Sequence, residues 1–334
     1  MRRSTHHPQF DRTCLELSPL AERIHDLDIS CLKETKTVPI QEIPRGLFRV
    51  AQRIILARRQ GRAIIFMLGG HVLRSGVQRY LIDLMARQYV SCLAVNGACM
   101  IHDFEFALIG ATTESVARYI VDGRFGLWKE TGYLNDLIND AYQQDPTQGM
   151  GETVGRAILE GDYPYKDASV FAAAVRWGVP VTVHVGIGYD IIHEHPNCNG
   201  AATGQLSYND FLRLVSVVQD LEQGVVMNFG SAVMAPEVFL KALSMARSVA
   251  RQAGSGVRDF CTLVCDVRNL SGDFTQEPPK TSPAYYFRPW KTMLVRVVQE
   301  GGESFYVQGP HAETIPALWT AIGEAEAQEE SGWK

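Results

Sequence analysis

The sequence predicts an α/β protein with a mostly parallel sheet covered by helices on both faces. Three observations carry that prediction. Short, almost wholly apolar runs recur along the chain, stretches with helical apolar spacing separate them, and several runs end in glycine or Asn-Gly. Residues 47–59 have a helical period and lead into the first strand, 62–68 (RAIIFML), which ends in Gly69-Gly70. Residues 75–87 carry apolar side chains at 77, 81, 82, 84 and 85, a helical spacing. Strands follow at 90–95 (VSCLAV), closed by Asn96-Gly97, and at 179–185 (VPVTVHV). Next come a helix at 208–221, a strand at 224–228 (GVVMN) and a helix at 236–250 with Pro236 at its first position. Residues 257–266 read as a fifth strand and 293–298 as a sixth.

The expected organisation is one domain over 1–334, with an N-terminal helical extension over about 1–60 and a helical insertion over about 114–161. The ends, 1–12 and 325–334, are expected to fray. The stretch 271–289 contains Pro278, Pro279, Pro283 and Pro289 and is expected to be a mobile loop.

Of 334 residues, 46% are hydrophobic and 21% charged, and formal net charge is -5, the balance of an ordinary globular protein. Nucleic-acid binders usually carry a basic excess, so nucleic acid is not the expected partner. The seven cysteines are odd in number and mostly lie in apolar runs, which reads as reduced thiols in a cytoplasmic protein. No run reaches the roughly 18 apolar residues of a membrane span, and the basic, polar start MRRSTHHPQF does not read as a signal peptide.

In open parallel sheets, ligands gather outside the carboxyl ends of the strands. The expected strand ends hold Gly69, Gly70, His71, Ser75 and Gly76, then Asn96, Gly97, Ala98, His102, Asp103 and Glu105. Later ends hold His184, Gly186, Gly188, Asp190, His193 and His195, then Asn228, Gly230, Ser231 and Glu237, and finally Asp266. Five of the nine histidines fall on this rim, which points to an active cleft. Gly69-Gly70 and Ser75-Gly76 could present backbone N–H groups to a pyrophosphate, although G-x-G-x-x-G is absent and composition alone favours a tight strand-to-helix turn. Asp103 and Glu105 could hold a cationic amine or simply complement a helix N-terminus. His184, Asp190, His193, His195 and Cys198 are metal-ligating types without a metal spacing, so no metal is expected, and His193 or His195 is expected as a general base or a substrate hydrogen-bonding group. Lys291, after Trp290 in YYFRPWK, is either an imine-forming amine in an aromatic pocket or a surface lysine.

The segments GGHVLRSGVQRYLIDLMAR, VNGACMIHDFEFALIGAT, DGRFGLWKETG and IPALWTAI resemble the deoxyhypusine synthase family, in particular its bacterial deoxyhypusine synthase-like branch. VHVGIGYDIIHEHP and NFGSAVMAPEVFLKAL resemble that branch too, and the likeness runs from about residue 47 to 322. The resemblance implies a Rossmann-like NAD-binding fold, usually a homotetramer with active sites shared between subunits. NAD there oxidises spermidine, and a lysine takes up the aminobutyl group as an imine. The group then passes to a protein lysine or, in homospermidine synthesis, to a small amine.

By position in the resemblance, Gly70, His71, Arg74 and Ser75 fall on the first cofactor loop, Gly97, Ala98 and Cys99 on the second, and Asp266 near another cofactor contact. Asp103 falls on a carboxylate between cofactor and substrate, Asp190 on a substrate-binding aspartate, and Trp290 and Lys291 near the tryptophan and the imine-forming lysine; Asp103, Glu105 and Asp190 are expected to hold the cationic amine. The sequence departs from the family in reading Trp290-Lys291 where Trp-Gly-Lys is usual, and Gly70-His71-Val72 in place of Ser-Asn-Leu. Ala235 and Pro236 occupy the region of the usual base histidine, which leaves His193 or His184 as the base. The expected function is an NAD-dependent aminobutyl-type transferase acting on a polyamine. The alternatives are the same fold without imine transfer, as an oxidoreductase or a histidine-rim hydrolase, and a non-catalytic ligand sensor.

Overall fold

The computed structural model describes His7 and residues 9–330. The chain opens with short 3-10 turns and strand β1 (His25–Asp28), then helix α1 (Arg45–Arg59). Next come β2 (Ile64–Leu68), α2 (His71–Arg74), α3 (Gln78–Ala86), β3 (Cys92–Asn96), α4 (Gly97–Ile109) and β4 (Ala111–Glu114). The middle holds α5 (Val116–Tyr119), α6 (Tyr133–Gln144), α7 (Met150–Glu160), α8 (Val170–Arg176) and β5 (Val181–His184). The chain continues with α9 (Gly200–Gln219), β6 (Val225–Phe229), α10 (Met234–Gln252), β7 (Cys261–Asp266), β8 (Glu303–Gln308) and α11 (His311–Glu330).

Six strands form one sheet in the order β5-β3-β2-β6-β7-β8, every pair parallel. The first three strands of this sheet grow outward from β2 in one direction and the last three grow from β6 in the other. The β2–β6 pair is therefore the switch point at which a doubly wound sheet opens a crevice. Side-chain alternation builds the layers. Ile64, Phe66 and Leu68 of β2 join the core under α1, α3, α4 and α11, while Ile65 and Met67 join the core under α9 and α10. Phe66 stacks on Phe229 of the neighbouring strand at 5.8 Å, and each fully buried phenylalanine contributes about 1.5–3 kcal/mol over an exposed one. The Rossmann-like α/β architecture is thus present.

Several details differ from the sequence reading. Residues 293–298 are not a strand. Residues 293–296 belong to a π-helix, Trp290–Arg296, packed on β7, and 297–298 to the turn after it, because a short buried apolar run has no periodicity that separates strand from helix. The sixth strand is β8, whose sequence ESFYVQ buries only Val307 and so lacks an apolar run. Of the expected N-terminal helical extension, Arg45–Arg59 is α-helical, and ahead of it β1 pairs antiparallel with β4. Pro236 is the third residue of α10 rather than its first. Residues 325–330 continue α11, while 1–6, 8 and 331–334 of the expected frayed ends lie outside the described residues. No helix among the described residues is long and apolar enough to cross a membrane.

Candidate functional site

A cavity of about 650 Å³ lies at the carboxyl ends of β5, β3, β2 and β6. Strand β2 contributes Gly69, Gly70 and His71 to its wall, β3 contributes Asn96, Gly97 and Ala98, and the segment after β5 contributes His184, Gly186, Tyr189 and Asp190. The loop from β6 into α10 closes it with Gly230, Ser231, Val233 and Met234.

The glycines are there because backbones meet. A Cβ on Gly69 would stand 2.4 Å from the Gly230 carbonyl oxygen, and one on Gly70 would stand 2.9 Å from Ala98 Cβ. Gly230 itself has φ +64°, which favours glycine. Helix α4 starts at the cavity wall, where Asn96 Oδ1 accepts the Cys99 N–H at 3.2 Å as its N-cap. Ser231 Oγ accepts the Ala235 N–H at 3.0 Å in the first turn of α10.

Asp190 packs against Gly97, and burial pushes its carboxyl up to about 6. His184 holds Thr182 Oγ1 at 2.9 Å through Nε2, and burial lowers its pKa to about 4, so the ring is neutral. Gly70, His71, Gly97, Ala98, His184 and Asp190 are therefore brought together on one wall.

The other expected residues do not line the cavity. Asp103 is 1% exposed and caps α8, accepting the Val170 N–H at 2.7 Å and the Ser169 hydroxyl, with burial raising its pKa to about 6. Glu105 is equally buried and takes a two-point contact from Arg23 at 2.8 and 2.7 Å, plus the hydroxyls of Thr112 and Thr131. Burial opposes its ionisation, but the Arg23 hydrogen bonds and charge prevail and hold the carboxyl below its ordinary range. Cys99 is fully buried, its Sγ 3.5 Å from the Leu68 carbonyl oxygen, and burial pushes its thiol up. Arg74 contacts His71 at 3.3 Å, and Ser75 donates to the His71 carbonyl, ending α2. Asp266 accepts the Arg268 N–H at the end of β7.

His193 accepts backbone N–H groups, His195 bonds the Gly126 carbonyl, and His102 bonds Thr112. Trp290 donates to the Gln276 carbonyl oxygen at 3.0 Å, and Lys291 is 6% exposed with Nζ 3.7 Å from the Tyr285 ring centroid. Among the described residues no group of three or more His, Cys, Asp or Glu is placed to hold a metal ion.

The sequence reading passed over His311. It begins α11 after β8, and its Nε2 stands 2.3 Å from where a Cβ on Gly230 would be, while its Nδ1 is buried without a partner. Burial lowers its pKa, against the charge of Asp266. Placing the sixth strand at 303–308 would have made His311 a strand-end residue like the rest.

The chain matches no protein-family model and no curated protein. Among solved structures it is similar to a protein provisionally assigned as LOR/SDH from Methanococcus maripaludis S2, with TM-score 0.51 and 14% identity over 88% of this chain and 74% of that one. It is also similar to unliganded AgrE, with TM-score 0.50 and 15% identity over 86% of this chain and 34% of AgrE; AgrE has also been solved with ornithine and NAD+. A protein provisionally assigned as a deoxyhypusine synthase from Entamoeba histolytica aligns at TM-score 0.40 and 12% identity, over 79% of this chain and 76% of that one. The chain spans about a third of the length of AgrE. What the chain shares with the first two is the Rossmann-like fold.

Proposed function

We propose that the protein is an NAD-dependent enzyme acting on a small cationic amine held by Asp190. The observation that carries this reading is Asp190 itself, a carboxylate after β5 on the cavity wall, raised to about 6 by burial with no protein cation contributing to the shift. A desolvated carboxylate without a counter-ion is a receptor for an ammonium group.

The residues at the β2–β6 crossing fit a dinucleotide. Gly69, Gly70 and Gly97 leave bare backbone where side chains would collide, and α4 and α10 begin at the same space, which favours phosphate. Bound there, NAD would accept hydride from the carbon beside the substrate nitrogen. Asp190 would orient the ammonium. His184, neutral and fixed by Thr182, would take up the proton that the nitrogen loses.

The resemblance implies a finer activity. An aminobutyl-type group would pass from a spermidine-like donor to an acceptor amine, through an imine of Lys291, in a cytoplasmic homotetramer. The buried Lys291 against Tyr285, with Trp290 beside it, supports that reading. Lys291 does not line the cavity, and this favours a second reading, amine oxidation without transfer.

The experiment is to mix the protein with NAD and a panel of polyamines and basic amino acids, following nicotinamide absorbance and binding heat. Reduction with an amine, lost in Asp190→Asn while NAD still binds, supports the amine reading. No binding of NAD and no reduction overturns it. Borohydride trapping on Lys291, absent in Lys291→Ala, supports transfer, and turnover that survives Lys291→Ala leaves oxidation alone.

A further inference from the structure

Two backbone amides of the turn that carries Asp190 into the cavity meet on one imidazole atom. His193 Nδ1 accepts the Gly188 N–H and the Asp190 N–H, each at 3.3 Å. The turn also closes on itself, Tyr189 N–H to the Gly186 carbonyl at 2.9 Å and His193 N–H to the Asp190 carbonyl at 3.0 Å. Ile187 is 64% and Tyr189 82% exposed, so little apolar burial anchors it. A ring nitrogen that accepts two amides carries no proton, which puts the ring proton on Nε2, an atom that is buried without a partner.

We propose that His193 is a positioning residue and a proton switch for the 186–190 turn, holding Asp190 in the cavity when neutral and releasing it when protonated. Protonation would set an Nδ1–H against two N–H donors, replacing two attractions with two repulsions. The importance of this for substrate rests on Asp190 being the amine receptor, as proposed above.

The titratable groups on its own segment are Asp190, Glu194 and His195; Glu194 in turn feels the charge of Glu114, and His195 that of Asp136 on α6. None of them shifts His193, whose pKa burial lowers from 6.5. With the folded value depressed, the hold is complete above about 6.5 and is lost as pH falls through the folded value.

Hydrogen exchange across 186–193, corrected for the intrinsic pH dependence of exchange, tests this at pH 7.5 and pH 5. In the wild type, exchange at 186–190 is expected to rise about tenfold at pH 5. His193→Asn keeps an acceptor oxygen that cannot be protonated and is expected to stay protected at both pH values, while His193→Ala exchanges fast at both. An acid-dependent rise in His193→Asn equal to the wild type's, or no rise in the wild type, overturns the switch. Burial raises the carboxyl of Asp190 itself to about 6, so its own protonation also falls in this range, and amine affinity is compared as the ratio of wild type to His193→Asn at each pH. If exchange behaves as expected and no amine binds either protein, the amine reading fails and the switch stands.

Discussion

A methyl group on Gly97 would stand 2.1 Å from Oδ2 of Asp190. The first residue of α4 and the carboxylate that follows β5 are in contact because β3 and β5 are neighbours in register, Asn96 opposite His184. A helix N-terminus stabilises a nearby anion, yet burial still pushes Asp190 up to about 6. Desolvation is the larger effect, and a bound ammonium would reverse it.

Gly97→Ala is therefore expected to displace Asp190 without unfolding the protein. Alanine suits the first turn of a helix, and the group it strikes is the movable end of a side chain. Amine affinity should fall by about 10- to 100-fold, which corresponds to about 1.4–2.8 kcal/mol, while the thermal midpoint changes little. Calorimetric titration beside a melting curve separates the two. Unchanged amine affinity would count against Asp190 as the receptor.

Glu105 is predicted to matter for stability and not for ligand. Glu105→Gln leaves Arg23, 4% exposed, without its counter-charge, a loss of about 3–5 kcal/mol for a buried pair broken on one side. Urea unfolding should show that loss, with NAD and amine affinity unchanged. A variant of wild-type stability that fails to bind amine would return Glu105 to the site.

The legible and illegible parts of this protein divide on burial and on helix starts. Strands β2, β3, β5, β6 and β7 stand out as apolar runs because both faces of each are covered, whereas β8 is an edge strand with a half-exposed sequence. Reading the buried run 293–298 in place of β8 also hides His311, which is a strand-end residue only once β8 is placed. Gly70, His71, Gly97, Ala98, His184 and Asp190 were legible for the converse reason: each follows or closes a strand that was placed. Asp103 and Glu105 misled because α4 already begins at Gly97. They lie six and eight residues into the helix, about 9–12 Å along its axis, where the one meets α8 and the other Arg23.

Two glycines with the same backbone separate strain from collision. Gly61 and Gly230 have φ +62° and +64°, but a Cβ on Gly61 meets nothing within 4 Å, while one on Gly230 meets the His311 ring at 2.3 Å. Gly61→Ala is expected to cost only the left-handed penalty of about 1–2 kcal/mol. Gly230→Ala should cost more by at least about 1 kcal/mol of overpacking and should weaken NAD binding by shifting the β2–β6 crossing. Equal losses from the two substitutions, measured by urea unfolding, would show that His311 moves aside freely.

Asp210 gives a pH-dependent prediction away from the cavity. Its side chain is fully buried, and Oδ2 accepts the N–H of Gly151 at 3.0 Å and of Val183 at 2.9 Å, the latter one residue before His184. Burial raises its pKa to about 7, against those hydrogen bonds and Arg213. A raised carboxyl stabilises the folded state when protonated, so its contribution is complete below the unfolded value near 3.8 and is lost as pH rises through about 7. Asp210→Asn keeps an acceptor for both amides and cannot ionise. It should therefore match the wild type near pH 4 and exceed it at pH 8, by about 1–3 kcal/mol after allowing for the lost attraction to Arg213. Unfolding curves at the two pH values decide it: a variant less stable than the wild type at pH 8 would mean that the Asp210–Arg213 pair outweighs the burial of the charge.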